Sequence, residues 1–205
     1  MISEVINMSE KKAAVLLADG YEEGESLFVV DIFRRCGVAA DTVSIEGEMV
    51  RGCHDICVKA DRLISEDIFD EYDMVVIPGG MPGAANLRAC PLVIKWVKKF
   101  AEEDKYVAAI CAGPMVLKEA GISTGRTLTS YPADKYREMF SDADYIDDNS
   151  KMDMMVVQDG KLITSRGPAT TFPFAFKLAE VLGGNTEAVK NGILWNALCE
   201  SIRNA

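Results

Sequence analysis

The stretch Val107-Ala108-Ala109-Ile110-Cys111-Ala112-Gly113-Pro114 sets how the rest of the chain is read. Val107 to Ile110 is a short run of small or apolar residues, the composition of a strand buried on both faces. Cys111 ends that run. Ala112-Gly113-Pro114 then opens a segment, Met115 to Ala120, that reads as a helix stopped by Gly121. Proline suits a first helical turn, where its missing N–H would have no partner anyway. Cys111 therefore falls at a tight strand-to-helix junction, the geometry of a nucleophile elbow. Backbone N–H groups and the positive end of the helix favour a thiolate there. A small buried apolar cysteine fits the same residues, and no glycine-flanked serine motif decides between the two.

Two other loops follow apolar runs in the same way. Ala13 to Ala18 reads as a buried strand that turns through Asp19-Gly20 into a helix, with three acids at its start and an end near Gly37. Those acids suit the helix dipole. Met74 to Ile77 reads as a further parallel-sheet strand and runs into Pro78-Gly79-Gly80-Met81-Pro82-Gly83. Glycines there serve either a tight turn or the close approach of backbone N–H groups to a ligand. Val38 to Ile45 is another strand, and 49–60 a short hairpin extension.

Helices are expected at 84–88, 91–103, 133–140, 169–182 and 185–201, with a strand from Arg126 to Thr129. A hairpin with an Asp159-Gly160 turn spans 152–164, and 141–150 is an acidic, solvated loop. Residues 1–10 carry no periodicity and read as a flexible N-terminal arm, leaving 11–205 as a single domain. This alternation predicts an α/β fold: a flavodoxin-like doubly wound sandwich, with a mostly parallel central sheet, helices on both faces and a small hairpin extension. Ligands of such sheets bind at the carboxyl ends of strands, where the loops at 19–25, 78–83 and 111–114 can converge.

Composition excludes several classes. Of 205 residues, 49% are hydrophobic and 26% charged, as in a soluble globular protein. A net charge of −10 argues against a nucleic-acid or anionic-membrane partner. No apolar run reaches the ~20 residues of a membrane span, and no signal peptide is evident, so an intracellular, cytoplasmic protein is expected. The six cysteines are scattered through a chain with ample core, which disfavours a disulfide framework. Cys53-His54-Asp55-Ile56-Cys57 has the residue types of a metal site. On a strand, however, residues 53, 55 and 57 face one way and His54 the other, and no second Cys/His cluster completes a tetrahedral shell. Neither a metal nor a cofactor is expected.

Four stretches in order carry a resemblance. They are Ala18-Asp19-Gly20-Tyr21-Glu22-Glu23-Gly24-Glu25, Val76-Ile77-Pro78-Gly79-Gly80, Ala109-Ile110-Cys111-Ala112-Gly113-Pro114 and Thr164-Ser165-Arg166-Gly167-Pro168-Ala169-Thr170. From about Lys12 to Gly183 the chain resembles the ThiJ/PfpI superfamily, in its parkinsonism-associated deglycase branch. The resemblance implies that Cys111 is the reactive cysteine and Glu25 the acid that touches it. The N–H groups of Gly80 and Ala112 would line an oxyanion pocket, with Gly79 and Pro168 beside it. The superfamily's usual histidine falls on Tyr131, so the Cys–His pair of a peptidase is missing. The chain's one histidine, His54, takes the place of an arginine at the dimer-side rim, and Arg35 matches an arginine the superfamily places near the site.

The resemblance further implies a cysteine-dependent stress-response protein acting on small dicarbonyls or glycated substrates, of the glyoxalase or deglycase type. Cys111 would be the nucleophile and Glu25 the proton shuttle, because two adjacent anions are costly and the glutamate keeps its proton. The alternative is a redox sensor or chaperone working through a Cys111 sulfinate. A cysteine peptidase or amidase ranks last because of Tyr131. A homodimer is expected, joined through the helix after Glu25 and the 49–60 hairpin.

Overall fold

A computed structural model describes residues 9–148 and 154–204. The first strand, β1 (Lys12–Leu17), leads through α1 (Glu23–Arg35) to β2 (Ala39–Ser44), then to the hairpin β3 (Met49–Arg51) and β4 (Cys57–Lys59) and the two-residue β5 (Arg62–Leu63). The chain then crosses to β6 (Met74–Ile77), α2 (Gly83–Ala89), α3 (Pro91–Glu102) and β7 (Tyr106–Ile110), which α4 (Pro114–Glu119) follows. After β8 (Thr127–Leu128), α5 (Asp134–Met139) and β9 (Asp144–Tyr145), the hairpin β10 (Val156–Asp159) and β11 (Leu162–Ser165) returns to the sheet. Three helices close the chain: α6 (Thr171–Val181), α7 (Thr186–Gly192) and α8 (Trp195–Arg203).

The main sheet has seven strands in the order β10-β11-β7-β6-β1-β2-β5. Every pair in it is parallel except β10 with β11. From β1 the chain winds outward through β2, then returns to β6 on the other side, which makes the β1–β6 boundary the topological switch point.

Both faces of the sheet are covered, which is why its central strands are apolar throughout. Ala14, Leu16, Val75, Ile77, Val107 and Ala109 pack against one layer, with Leu87, Trp96, Phe100, Val116 and Leu117 from α2, α3 and α4. Their neighbours Ala13, Val15, Met74, Val76, Ala108 and Ile110 face the other layer, where Val29, Phe33, Phe174 and Leu178 come from α1 and α6. The alternation is the period of two that a strand imposes.

Three details differ from the sequence expectation. The expected helix 185–201 is two helices, because Leu194 adopts φ 64° between them. The strand expected over 126–129 shortens to β8, which pairs with β9 from the acidic loop. β5, a two-residue edge strand between the hairpin and β6, was not expected, being too short to show periodicity. Residues 1–8 of the expected arm lie outside the described residues, while the Ser9 hydroxyl donates to the Leu182 carbonyl at 2.6 Å.

Candidate functional site

The carboxyl ends of β1, β6 and β7 bring three loops together. At the end of β7 the chain reverses sharply: Cys111 has φ 61°, in the left-handed region that side chains rarely enter. Such a residue costs on the order of 1–3 kcal/mol and persists only where its surroundings fix it. Here the Cys111 N–H donates to the Ser165 carbonyl of β11 at 3.1 Å, and its own carbonyl accepts the Tyr131 N–H at 2.9 Å. Gly113 N–H closes the turn on the Ile110 carbonyl at 2.8 Å. The side chain remains partly exposed.

Glu25 stands in the first turn of α1 and is fully buried. Its Oε2 accepts the Gly79 N–H at 2.8 Å, and among the described residues Oε1 has no hydrogen-bond partner. Gly79 must lack a side chain, since a Cβ there would lie 2.6 Å from Glu25 Oε2 and 2.7 Å from Cys111 Cβ. The glutamate, the glycine and the cysteine are thus in contact. The three acids that open α1 are therefore more than dipole partners.

Burial raises the Glu25 carboxyl from the ordinary 4.5 to about 7, against the Gly79 N–H and the Cys111 thiol, which favour its anion. Burial also pushes the Cys111 thiol up, and a charged Glu25 pushes it further; the N–H groups of Ala112 and Gly80 pull it down. Burial and the acid therefore oppose a thiolate at the elbow, while the two N–H groups favour one. Two anions in contact are unfavourable, so the Cys111–Glu25 pair resists losing both of its protons.

The remaining predicted residues divide. Tyr131 is 47% exposed and reaches the elbow through its backbone N–H. Pro168 opens the exposed turn after β11, just beyond the Ser165 carbonyl that receives Cys111. Arg35 is not brought to Cys111 within the chain. It lies at the C-terminal end of α1, about 15 Å along the axis from Glu25, paired with Asp31 at 2.7 Å. Its match to the resembled pattern was one of sequence position, and the helix carries it away from the site.

His54 sits over the start of α1, its Nδ1 2.9 Å from Glu23 Oε2. Residues 53 and 54 form a turn rather than a strand, and Asp55 takes φ 66°. Strand alternation therefore does not apply, and Cys53 Sγ and His54 Nδ1 lie 3.2 Å apart on one side. The site also has a residue the sequence reading passed over: buried Tyr136 of α5, whose hydroxyl is raised by burial, then by Cys111 and Glu25. Its place on the apolar side of a predicted helix was the available signal.

A doubly wound sheet with a strained cysteine elbow and a buried glutamate beside it defines a cysteine-centred α/β protein. The chain belongs to the DJ-1/PfpI family, whose model matches residues 11–181. It is 37% identical over 187 residues to protein dj-1beta of Drosophila melanogaster, covering 90% of this chain and 97% of that one. It is 33% identical over 183 residues to the glutathione-independent glyoxalase DJR-1.2 of Caenorhabditis elegans, covering 86% and 91%. The crystal structure of Drosophila melanogaster DJ-1beta superposes with a TM-score of 0.83, covering 91% of this chain and 98% of that one at 37% identity.

Proposed function

We propose that the protein is a cofactor-independent glyoxalase of dicarbonyl stress, with Cys111 as nucleophile and Glu25 as proton shuttle. The observation that carries this reading is the contact of a buried glutamate, poised near neutral pH, with a half-accessible cysteine under two N–H donors. Glu25 takes the thiol proton as sulfur attacks the aldehyde carbon of methylglyoxal or glyoxal. The N–H groups of Gly80 and Ala112 stabilise the oxyanion of the resulting hemithioacetal. Glu25 next moves a proton from the former aldehyde carbon to its neighbour, which leaves a thioester of a hydroxy acid. Water cleaves the C–S bond, returning the thiol and releasing the acid. Glycated adducts, which present the same carbonyl chemistry, form the wider substrate class.

The relative named as a glutathione-independent glyoxalase supports the activity, and six unpaired cysteines suit a reducing, cytoplasmic setting. Among the described residues no helix is long and apolar enough to cross a membrane. We also propose a homodimer. Phe28 of α1 and Met49 and Ile56 of the β3–β4 hairpin are large apolar side chains left exposed on the two elements expected to associate. Lactate formation from methylglyoxal by purified protein, compared with Cys111→Ala, tests the activity. Lactate no higher than in the variant removes it.

A second reading, a redox sensor or chaperone acting through Cys111 sulfinate, draws support from Glu25, whose buried Oε1 has no hydrogen-bond partner among the described residues. A protonated carboxyl there can donate to a sulfinate oxygen. A peptidase remains the weakest fit, since Tyr131 brings no imidazole to the cysteine.

A further inference from the structure

Beside the elbow, two segments meet that the reaction above does not use. Glu22 and Glu23 lie at the start of α1, and Cys53 and His54 form the turn between β3 and β4. A bridge between Tyr21 and Gly52 joins the two segments. Gly52 allows the approach, since a Cβ there would fall 2.2 Å from Glu23 Cδ. Glu23 is only 5% exposed. Its Oε1 accepts the backbone N–H groups of His54 at 2.8 Å and Ile56 at 3.4 Å, which turns Oε2 toward the imidazole and the thiol.

We propose that Glu22, Glu23, Cys53 and His54 form a binding site for a divalent transition metal of the zinc class, adjacent to the Cys111–Glu25 pair and distinct from it. Glu23 Oε2 lies 2.9 Å from His54 Nδ1 and 3.6 Å from Cys53 Sγ. Glu22 Oε2 lies 3.2 Å from Cys53 Sγ and 3.6 Å from His54 Nδ1. Cys53 Sγ and His54 Nδ1 are 3.2 Å apart, and all four ligand atoms lie within 4.8 Å of one another. A tetrahedral zinc site, with bonds of ~2.0–2.3 Å, has edges of about 3.3–3.8 Å. Small side-chain adjustments therefore close the shell around an ion.

The donor set selects the metal. One thiolate, one imidazole nitrogen and two carboxylate oxygens suit zinc or cobalt, whereas magnesium and calcium favour oxygen alone. The second oxygen of Glu23, held by two backbone N–H groups, supplies the outer support that orients a ligand. Charge agrees. Among the described residues no lysine or arginine pairs with Glu22 or Glu23, and Arg51 of the same hairpin pairs with Asp55. Binding replaces the Cys53 thiol proton by the metal and releases that proton.

The test uses the full chain in a Cys111→Ala, Cys57→Ser background, which removes the elbow thiol and the second thiol of the hairpin. Protein stripped with a chelator is titrated with Co²⁺ and then with Zn²⁺. The expected result is a single Co²⁺ per chain, with the intense visible bands of a tetrahedral ion and thiolate-to-cobalt charge transfer in the near ultraviolet. Zn²⁺ should displace it and raise Tm. Cys53→Ser should abolish the charge transfer. His54→Ala, a change at an exposed side chain, should weaken Zn²⁺ binding by at least roughly the 10–100-fold that loss of an outer partner costs. Circular dichroism confirms that both variants fold. No stoichiometric binding, or charge transfer that survives Cys53→Ser, overturns the site. Neither result bears on lactate formation, so this proposal and the glyoxalase reading fail separately.

Discussion

The Gly79 N–H donates to Glu25 Oε2 at 2.8 Å across 54 residues of sequence, and this bond ties α1 to the loop after β6. It fixes the carboxyl against Cys111, which arrives from β7. Three consecutive parallel neighbours of the sheet, β1, β6 and β7, thus each supply one part of the site: the acid, the glycine and the sulfur. A parallel sheet places such loops on one edge without further design, since every strand ends on the same side.

That contact leaves no room for a methyl group. In Gly79→Ala the new Cβ meets the carboxylate and Cys111 Cβ below 3 Å, so α1 or the elbow has to shift. Overpacking of this kind costs about 1–3 kcal/mol. A lowered Tm should accompany loss of lactate formation, because the displaced groups are the reacting ones. Unchanged stability and activity would mean that Glu25 and Cys111 are not in contact.

Glu25 should also make stability depend on pH. Its carboxyl titrates near 4.5 when unfolded and at about 7 when folded, so the folded state keeps a proton that the unfolded chain has lost between those values. Stability from this group is full below about pH 4.5 and is lost as pH rises through about 7. Glu25→Gln has no such proton to lose. Its stability relative to the parent should grow from near zero at about pH 4 to on the order of 3 kcal/mol at about pH 8. Denaturant melts at several pH values measure this. A flat difference would place the negative charge of the pair on sulfur rather than on the carboxyl.

The exposed apolar side chains of α1 and the hairpin make the dimer testable. Light scattering should give twice the 22.4 kDa of the chain at micromolar concentration. Ile56→Glu, which puts a charge on that face at a side chain that is 51% exposed, should shift the mass toward the monomer. Arg35→Ala then asks whether a second copy brings Arg35 to a site that its own chain keeps it from. In the dimer it should lower activity; in the Ile56→Glu monomer it should not.

What was legible in the sequence follows from what local composition can encode. Val107 to Ile110 reads as a doubly buried strand because both faces are covered, and the cysteine that ends it reads as an elbow because proline and glycine follow. The 49–60 hairpin and the Asp159-Gly160 turn carry comparable local signals. The Gly79–Glu25 bond does not, since nothing near either residue marks a partner 54 positions away. The break at Leu194 follows Asn191-Gly192, a helix-stop signal that the continuous helix expected over 185–201 passed over. The turn at Cys53-His54 misled for a physical reason: alternation was assumed where Asp55 leaves extended geometry, and the cluster with Glu22 and Glu23 was hidden as a result. Arg35 shows the converse, a residue placed by resemblance that the helix of its own chain holds apart from Cys111.

Oxidation separates Cys111 from the other five cysteines. Cys36 is buried, and burial pushes its thiol up to about 11. Cys53 is pushed up to about 12 by burial and by Glu22 and Glu23, which also repel an anion forming there. Cys57 is exposed on the hairpin, while Cys90 lies between α2 and α3 and Cys199 within α8, away from the Gly79–Cys111 elbow. Only Cys111 combines access with a neighbouring group able to take its proton and two N–H donors able to hold developing charge. Mild peroxide should therefore add two oxygens at Cys111 first, and Glu25 should then donate from Oε1 to the sulfinate and hold it short of sulfonate. Glu25→Gln keeps a donor and should preserve the sulfinate, whereas Glu25→Ala should leave mixed or over-oxidised sulfur. Peptide mass spectrometry follows all six sites in one experiment. Oxidation of Cys53 or Cys57 to the sulfinate before Cys111 would show that the elbow is not the reactive centre.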